Sequence, residues 1–155
     1  KHLNTIRHNY ARAPYFDFYF PELVRIYERE WTFLLDFCFE TLDVLKTALG
    51  IEVTTVCSSE LNVDGDKAEK ILALCEAMQA SEYLTGDLAR DYLDAEKFRE
   101  KGIALNYQNY THPQYSQQGE GFISHLSVLD LLFNVGPRSL EVLSASSTME
   151  TADVL

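Results

Sequence analysis

The chain has 155 residues, 46% of them hydrophobic and 24% charged, an ordinary globular composition with enough residues for one domain and its own core. A net charge of −11 at pH 7 argues against nucleic acid or an anionic membrane as a partner for the whole surface, leaving only a local basic patch around Lys1, Arg7 and Arg12. Membrane insertion is not expected either, because no apolar run approaches the roughly 20 residues that span a bilayer.

The opening Lys1-His2-Leu3 has no signal-peptide pattern and no initiating Met, which leaves a processed or truncated start open. Three cysteines, Cys38, Cys57 and Cys75, lie in apolar stretches without CxxC spacing. They read as buried thiols in a reducing compartment, and the cytoplasm fits.

The first half reads as helices. His2 to Ala13 is a polar-rich candidate stopped by Pro14, which disfavours helix in the residue before it. Pro21 suits a helix first turn, and the pattern continues through Leu23, Ile26 and Tyr27. A third helix restarts near Thr32. Its apolar face runs Leu34, Cys38, Leu42, Leu45, Leu49, and Gly50 closes it as a left-handed cap. The aromatic cluster Tyr15, Phe16, Phe18, Tyr19 and Phe20 reads as core or subunit interface rather than ligand platform.

After Gly50 the period changes. Ile51 to Cys57 is β-branched and predicts a strand ending in Ser58-Ser59-Glu60-Leu61, and Asn62 to Asp66 is turn material. Lys67 to Ala80 predicts a helix with Ala68, Ile71, Leu72, Cys75 and Met78 on one face. Glu82 to Leu84 is a short strand stopping at Thr85-Gly86-Asp87. Helix returns over Leu88 to Tyr92 and over Ala95 to Lys101, with Asp94 as N-cap, and Ile103 to Tyr107 is a third strand. Strands joined by helical crossovers imply a parallel sheet.

Asn109 to Gly121 is an aperiodic polar and aromatic loop. Phe122 to Asn134 resumes helical spacing, Gly136-Pro137 stops it, and Ser139 to Ala145 is a last helix. The expected architecture is an α/β fold. A helical N-terminal half precedes a β-α-β-α-β unit with a small, mainly parallel sheet and C-terminal helices, in a single domain over 1–145 followed by a flexible tail over 146–155. Three strands are few for a sheet covered on both faces.

Ligands of open α/β sheets bind outside the carboxyl ends of the strands. The candidate site is therefore where Ser58, Ser59 and Glu60, then Thr85, Gly86 and Asp87, then Tyr110 and His112 converge. Ser58 and Ser59 offer hydroxyls and amides to an anionic ligand, or simply cap their own loop. Asp87 is equally a helix N-cap. His112, beside Pro113, is the acid–base candidate, with Tyr110 as the other group for proton transfer, and a structural loop histidine is the plainer alternative; Glu60 joins His112 as a catalytic candidate that contacts the ligand. Asn9 and Tyr10 belong to a dense polar string on the first helix that faces either an anionic ligand or solvent. His125, Ser127 and Asp130 cluster near a helix start, where capping or core support explains them with fewest assumptions. The four histidines, His2, His8, His112 and His125, are too far apart for a local zinc motif, so no metal is expected. No phosphate loop, dinucleotide fingerprint or nucleophile elbow is present, and no cofactor is implied.

These residues resemble a known family in ordered blocks. The blocks are His2-Leu3-x-Thr5-Ile6-x-x-Asn9-Tyr10-x-x-Ala13-Pro14-Tyr15-Phe16, Ser58-Ser59-Glu60-Leu61 and Ala80-Ser81-Glu82-Tyr83-Leu84-x-Gly86. Tyr92-Leu93, Phe98-x-x-x-Gly102-Ile103 and Leu126-Ser127-x-x-Asp130-Leu131-Leu132-Phe133-Asn134-x-Gly136-Pro137 follow. Together they are similar to the C-terminal portion of WbqC-like proteins, a soluble bacterial α/β family. The glutamine–proline and aromatic-rich block that opens the family has no equivalent here. The resemblance implies an accessory enzyme of surface-polysaccharide (O-antigen or capsule) biosynthesis acting on an activated sugar or related anionic metabolite, as a transferase on a sugar-nucleotide-like substrate. The competing reading is a non-catalytic module that binds another assembly protein through its aromatic half. A homo-oligomer is a further partner class the sequence allows.

Overall fold

A computed structural model describes residues 1–145 and 147–152. The chain divides into two compact units, Lys1–Val53 with His112–Ser146, and Thr54–Thr111 with Ser147–Leu155.

Unit 1 is helical. α1 (His2–Tyr10), α2 (Phe16–Glu28) and α3 (Leu34–Leu49) are followed, after the chain's excursion through unit 2, by α6 (Val128–Val135) and α7 (Ser139–Ser144). Its core gathers Ala13, Phe16, Phe20, Leu23 and Phe133, with Leu3, Ile6, Tyr10 and Leu129 packed around them. The aromatic cluster thus splits by helical phase. Phe16 and Phe20 stack inward with ring centroids 4.4 Å apart, while Phe18 is 73% exposed. Pro21 does not open α2, as its first-turn preference suggested, but lies inside it. The lost hydrogen bond is tolerated because the turn before it carries those two core rings. α3 ends as expected at Gly50, left-handed at φ 70, yet it buries none of its sixteen residues.

Unit 2 carries the sheet. α4 (Lys67–Ala77) precedes β1 (Glu82–Gly86), a 3-10 helix over Asp87–Asp91 follows, and α5 (Ala95–Glu100) leads into β2 (Ala104–Tyr110). The Asp94 carboxylate caps α5 by accepting from the Glu96 amide at 3.1 Å. β1 and β2 pair in parallel, with Gly86 opposite Gln108, and β3 (Ser147–Thr151) pairs antiparallel on the other edge of β2. Leu105 and Tyr107 alternate into a core with Cys75, Leu93, Phe98 and Ile103. Asn106 between them, also buried but on the opposite face of the strand, is satisfied by two partners: it donates to Glu82 at 3.3 Å and accepts from Thr151 at 2.8 Å.

Two expectations are corrected here. Ile51 to Cys57 forms no strand; the chain passes from one unit to the other within it, and β-branched composition favours a pleated surface only where a partner strand exists. The third strand comes instead from the stretch read as a flexible tail, where Ser147 to Thr151 pairs with β2. Cysteine burial is also narrower than expected. Cys75 is buried, Cys57 half-buried and Cys38 exposed on α3.

Candidate functional site

The parallel pair ends at Gly86 and Tyr110, and a cleft of about 400 Å³ opens there, lined by Thr85, Gly86, Asp87, Leu88, Ala89, Tyr92, Gln108 and Tyr110. Four residues chosen from the sequence, Thr85, Gly86, Asp87 and Tyr110, are therefore brought together, for the reason that put them on the list: parallel neighbours finish on the same edge. Tyr92 and Tyr110 present 51% and 41% of their surface. The one charged lining residue, Asp87, is held by Arg90 at 3.1 Å, whose other nitrogen reaches Glu150 of β3 at 2.9 Å. The Arg90 guanidinium also lies over the Tyr107 ring, 4.0 Å from its centroid. Arg90 thus compensates two carboxylates already.

Ser58, Ser59 and Glu60 form a single exposed 3-10 turn and do not line this cleft; Ser59 Oγ sits 3.1 Å from Cys57 Sγ. No strand precedes them, so the geometry that nominated them is missing. His112, Asn9 and Tyr10 belong to unit 1. His112 Nδ1 lies 2.9 Å from the Pro113 carbonyl, and its ring packs against His125 (centroids 4.8 Å) and Phe122 (5.8 Å). When Nδ1 donates to that carbonyl, Nε2 is the basic nitrogen of the neutral ring. His125 sits at φ 60, an uncommon backbone state for a residue with a side chain.

Tyr10 points elsewhere than predicted. It turns inward to Asp130, which is 4% exposed and accepts from Tyr115 Oη at 2.9 Å and Gln117 Nε2 at 2.8 Å. Burial, reinforced by the Asp130 carboxylate, pushes both phenols up to about 12, so both remain protonated donors. Gln117 also exchanges hydrogen bonds with the backbone of Ile123, and Gln118 donates to the Asn9 carbonyl. The aperiodic loop is thereby pinned to α1 and α6 through one buried carboxylate. Ser127 caps α6 by accepting from the Leu129 amide, so the support reading of Ser127 and Asp130 describes what they do.

A larger groove of about 900 Å³ lies in unit 1 beside α3, floored by Leu23, Leu45, Leu49, Leu129 and Leu132. Its rim charges pair with one another, Arg25 with Glu22 and Glu40, and Lys46 with Asp43. It suits an apolar cover better than chemistry. Among the described residues no group of three or more His, Cys, Asp or Glu could hold a metal ion, and no helix is long and apolar enough to cross a membrane.

Sequence reasoning missed Tyr92, Gln108 and Arg90. Arg90 lies in the 3-10 segment after β1 and Tyr92 just beyond its end, in a stretch whose spacing suggests helix. Gln108 was left beyond the expected strand, although β2 runs on to Tyr110 and turns it toward the cleft.

Compared with known proteins, residues 1–142 match the WbqC-like protein family. The chain is 32% identical over 144 residues to an uncharacterized protein, Rv1507c, of Mycobacterium tuberculosis (strain ATCC 25618 / H37Rv). That alignment covers 92% of this chain and 62% of the relative, so the chain spans less than two thirds of the relative's length. No solved structure matches.

Proposed function

Since the chain belongs to the WbqC-like protein family, we propose that it serves surface-polysaccharide biosynthesis as a transferase acting on an activated sugar held in the cleft at the carboxyl ends of β1 and β2. The cleft carries this reading. It is small enough for one sugar ring, walled by two half-open tyrosines, and supplied with a hydroxyl (Thr85), the side-chain oxygen of Gln108, whose Nε2 donates to Ser147 Oγ at 2.9 Å, and a carboxylate (Asp87) suited to vicinal sugar hydroxyls. The family's name, which ties it to polysaccharide gene clusters, agrees with that chemistry. His112 and Glu60 do not line this cleft, and neither serves the sugar reading as its acid or base.

A thermal-shift screen of nucleotide sugars tests the proposal. A ligand at a hundredfold excess over its Kd stabilises the native state by about 2.7 kcal/mol. The shift is expected with at least one nucleotide sugar and should vanish in a Thr85→Val, Tyr110→Ala double variant. A shift that survives both substitutions puts the ligand elsewhere.

A second reading, a binding module for another assembly protein, has its own observation. α3 buries no residue, and Leu34, Leu35 and Leu42 are exposed along it. The inward Phe16 and Phe20 no longer support it, whereas the exposed residues of α3 do. Leu35→Glu with Leu42→Glu should then abolish co-purification of a partner without lowering the melting temperature.

A further inference from the structure

Seven glycines punctuate the chain, and six of them, Gly50, Gly65, Gly102, Gly119, Gly121 and Gly136, have positive φ, a backbone state that accounts for glycine without reference to any ligand. Gly86 is different. It sits at φ −82 and ψ 164, extended backbone that any residue adopts. A Cβ built on it meets nothing within 4 Å, so packing does not require glycine either. Nor does strand formation favour it, since glycine weakens a strand by entropy and by offering no side chain to pack. Gly86 is nonetheless the last residue of β1 and lines the cleft between Thr85 and Asp87. The protein's own conformation and packing give no reason for glycine at this position, and its bare main chain is open to the cleft.

Resting on the reading of the cleft as a sugar site, we propose that Gly86 is its specificity-determining residue: the missing side chain admits the pyranose ring of the substrate against the main chain at Gly86. The charges favour the ring over the phosphate as the part that enters. No cation lines the cleft, Asp87 contributes a carboxylate, and the nearby Arg90 already serves Asp87 and Glu150. A diphosphate there would meet a carboxylate before a free guanidinium, whereas sugar hydroxyls donate to that same carboxylate. The nucleotide half of the substrate therefore lies outside the cleft.

The test uses the whole chain, labelled for amide spectra, with UDP-, GDP- and dTDP-linked hexoses and with UDP, GDP and dTDP alone. Binding of a nucleotide sugar is expected to shift the Gly86, Asp87 and Gln108 amides, and the nucleotide alone should leave them in place. Gly86→Ala and Gly86→Val should keep the wild-type melting temperature or raise it, because the site is open and alanine restricts the unfolded chain. The same variants should lose about tenfold or more in affinity, valine more than alanine, as an added methyl group obstructs the ring. If a nucleotide sugar binds the wild type but binds Gly86→Ala equally well, this inference falls and the proposed function stands. If a nucleotide alone moves the Gly86 amide, the ring assignment is wrong. Silence of the wild-type chain toward every nucleotide sugar overturns the proposed function and this inference together.

Discussion

The two units use their polar side chains in opposite ways. In unit 1, Asp130 is buried and surrounded by donors, so Tyr10, Tyr115 and Gln117 spend their hydrogen bonds on internal order. In unit 2, Thr85, Asp87, Gln108 and Tyr110 stand at an open strand edge around a cleft. A buried polar group must be paired from within the protein because leaving it unpaired costs its full desolvation. One at a strand edge can pair within the protein, as Asp87 does with Arg90 and Gln108 with Ser147, and still keep acceptor capacity for a ligand. Polarity in a sequence therefore does not distinguish a staple from a site until burial is known, and Tyr10, chosen as ligand-binding and found as a staple, is the instance.

Substitutions can break this contrast, beginning with the cores. Phe133→Ala in unit 1, at 0% exposure and in ring contact with Tyr10 and Phe16, is expected to cost about 3–5 kcal/mol. Phe98→Ala in unit 2, at 1% exposure beside Tyr83, should cost a similar amount. Urea denaturation measures both, and a loss under about 1 kcal/mol at either position means that its cluster is not a core.

Next comes the staple. Asp130→Ala strands two phenols and an amide in a half-buried place and should cost about 3 kcal/mol. Asp130→Asn should recover part of that by keeping an acceptor oxygen. Amide exchange over residues 113–123 should accelerate in the alanine variant, and unchanged protection there would show that the loop is held by other means.

A smaller effect is the pH dependence of unit 1. Tyr10 and Tyr115 titrate from the usual 10.0 upward to about 12 in the folded state, chiefly through burial and then through Asp130. A raised folded pKa means the stability is complete below pH 10 and is lost as pH climbs toward about 12. Denaturation midpoints should fall over that window in the wild type and fall less in Tyr115→Phe. Equal slopes in the two proteins would exclude Tyr115 as a contributor.

Smallest of all should be the stability change at the open edge. Thr85→Val and Tyr110→Ala are expected to stay within about 0.5 kcal/mol of wild type while removing ligand binding. A large loss of stability would turn these residues into structural ones and erase the contrast between the units.

Much of the architecture was legible. The three- and four-residue stepping of Leu34, Cys38, Leu42, Leu45 and Leu49 and the Gly50 cap gave α3 its limits because helical spacing and a left-handed terminus are local properties. Asp94 and Ser127 were recognisable near helix starts for the same reason. Part of the site could also be seen: Thr85, Gly86 and Asp87 follow a strand, and the order of strand and helix implies which edge they share.

What the chain's own order could specify was therefore helix limits, caps and the strand edge facing the cleft, all of which depend on residues a few positions apart. The identity of the third strand, the burial of Asp130 and the exposure of α3's apolar face came only with the folded arrangement. Each depends on a partner distant in sequence. Ser147 to Thr151 pairs with Asn106 to Tyr110, 37 to 45 positions earlier in the chain, and a strand exists only where such a partner offers its hydrogen bonds. Ile51 to Cys57, richer in β-branched residues, finds none and is no strand.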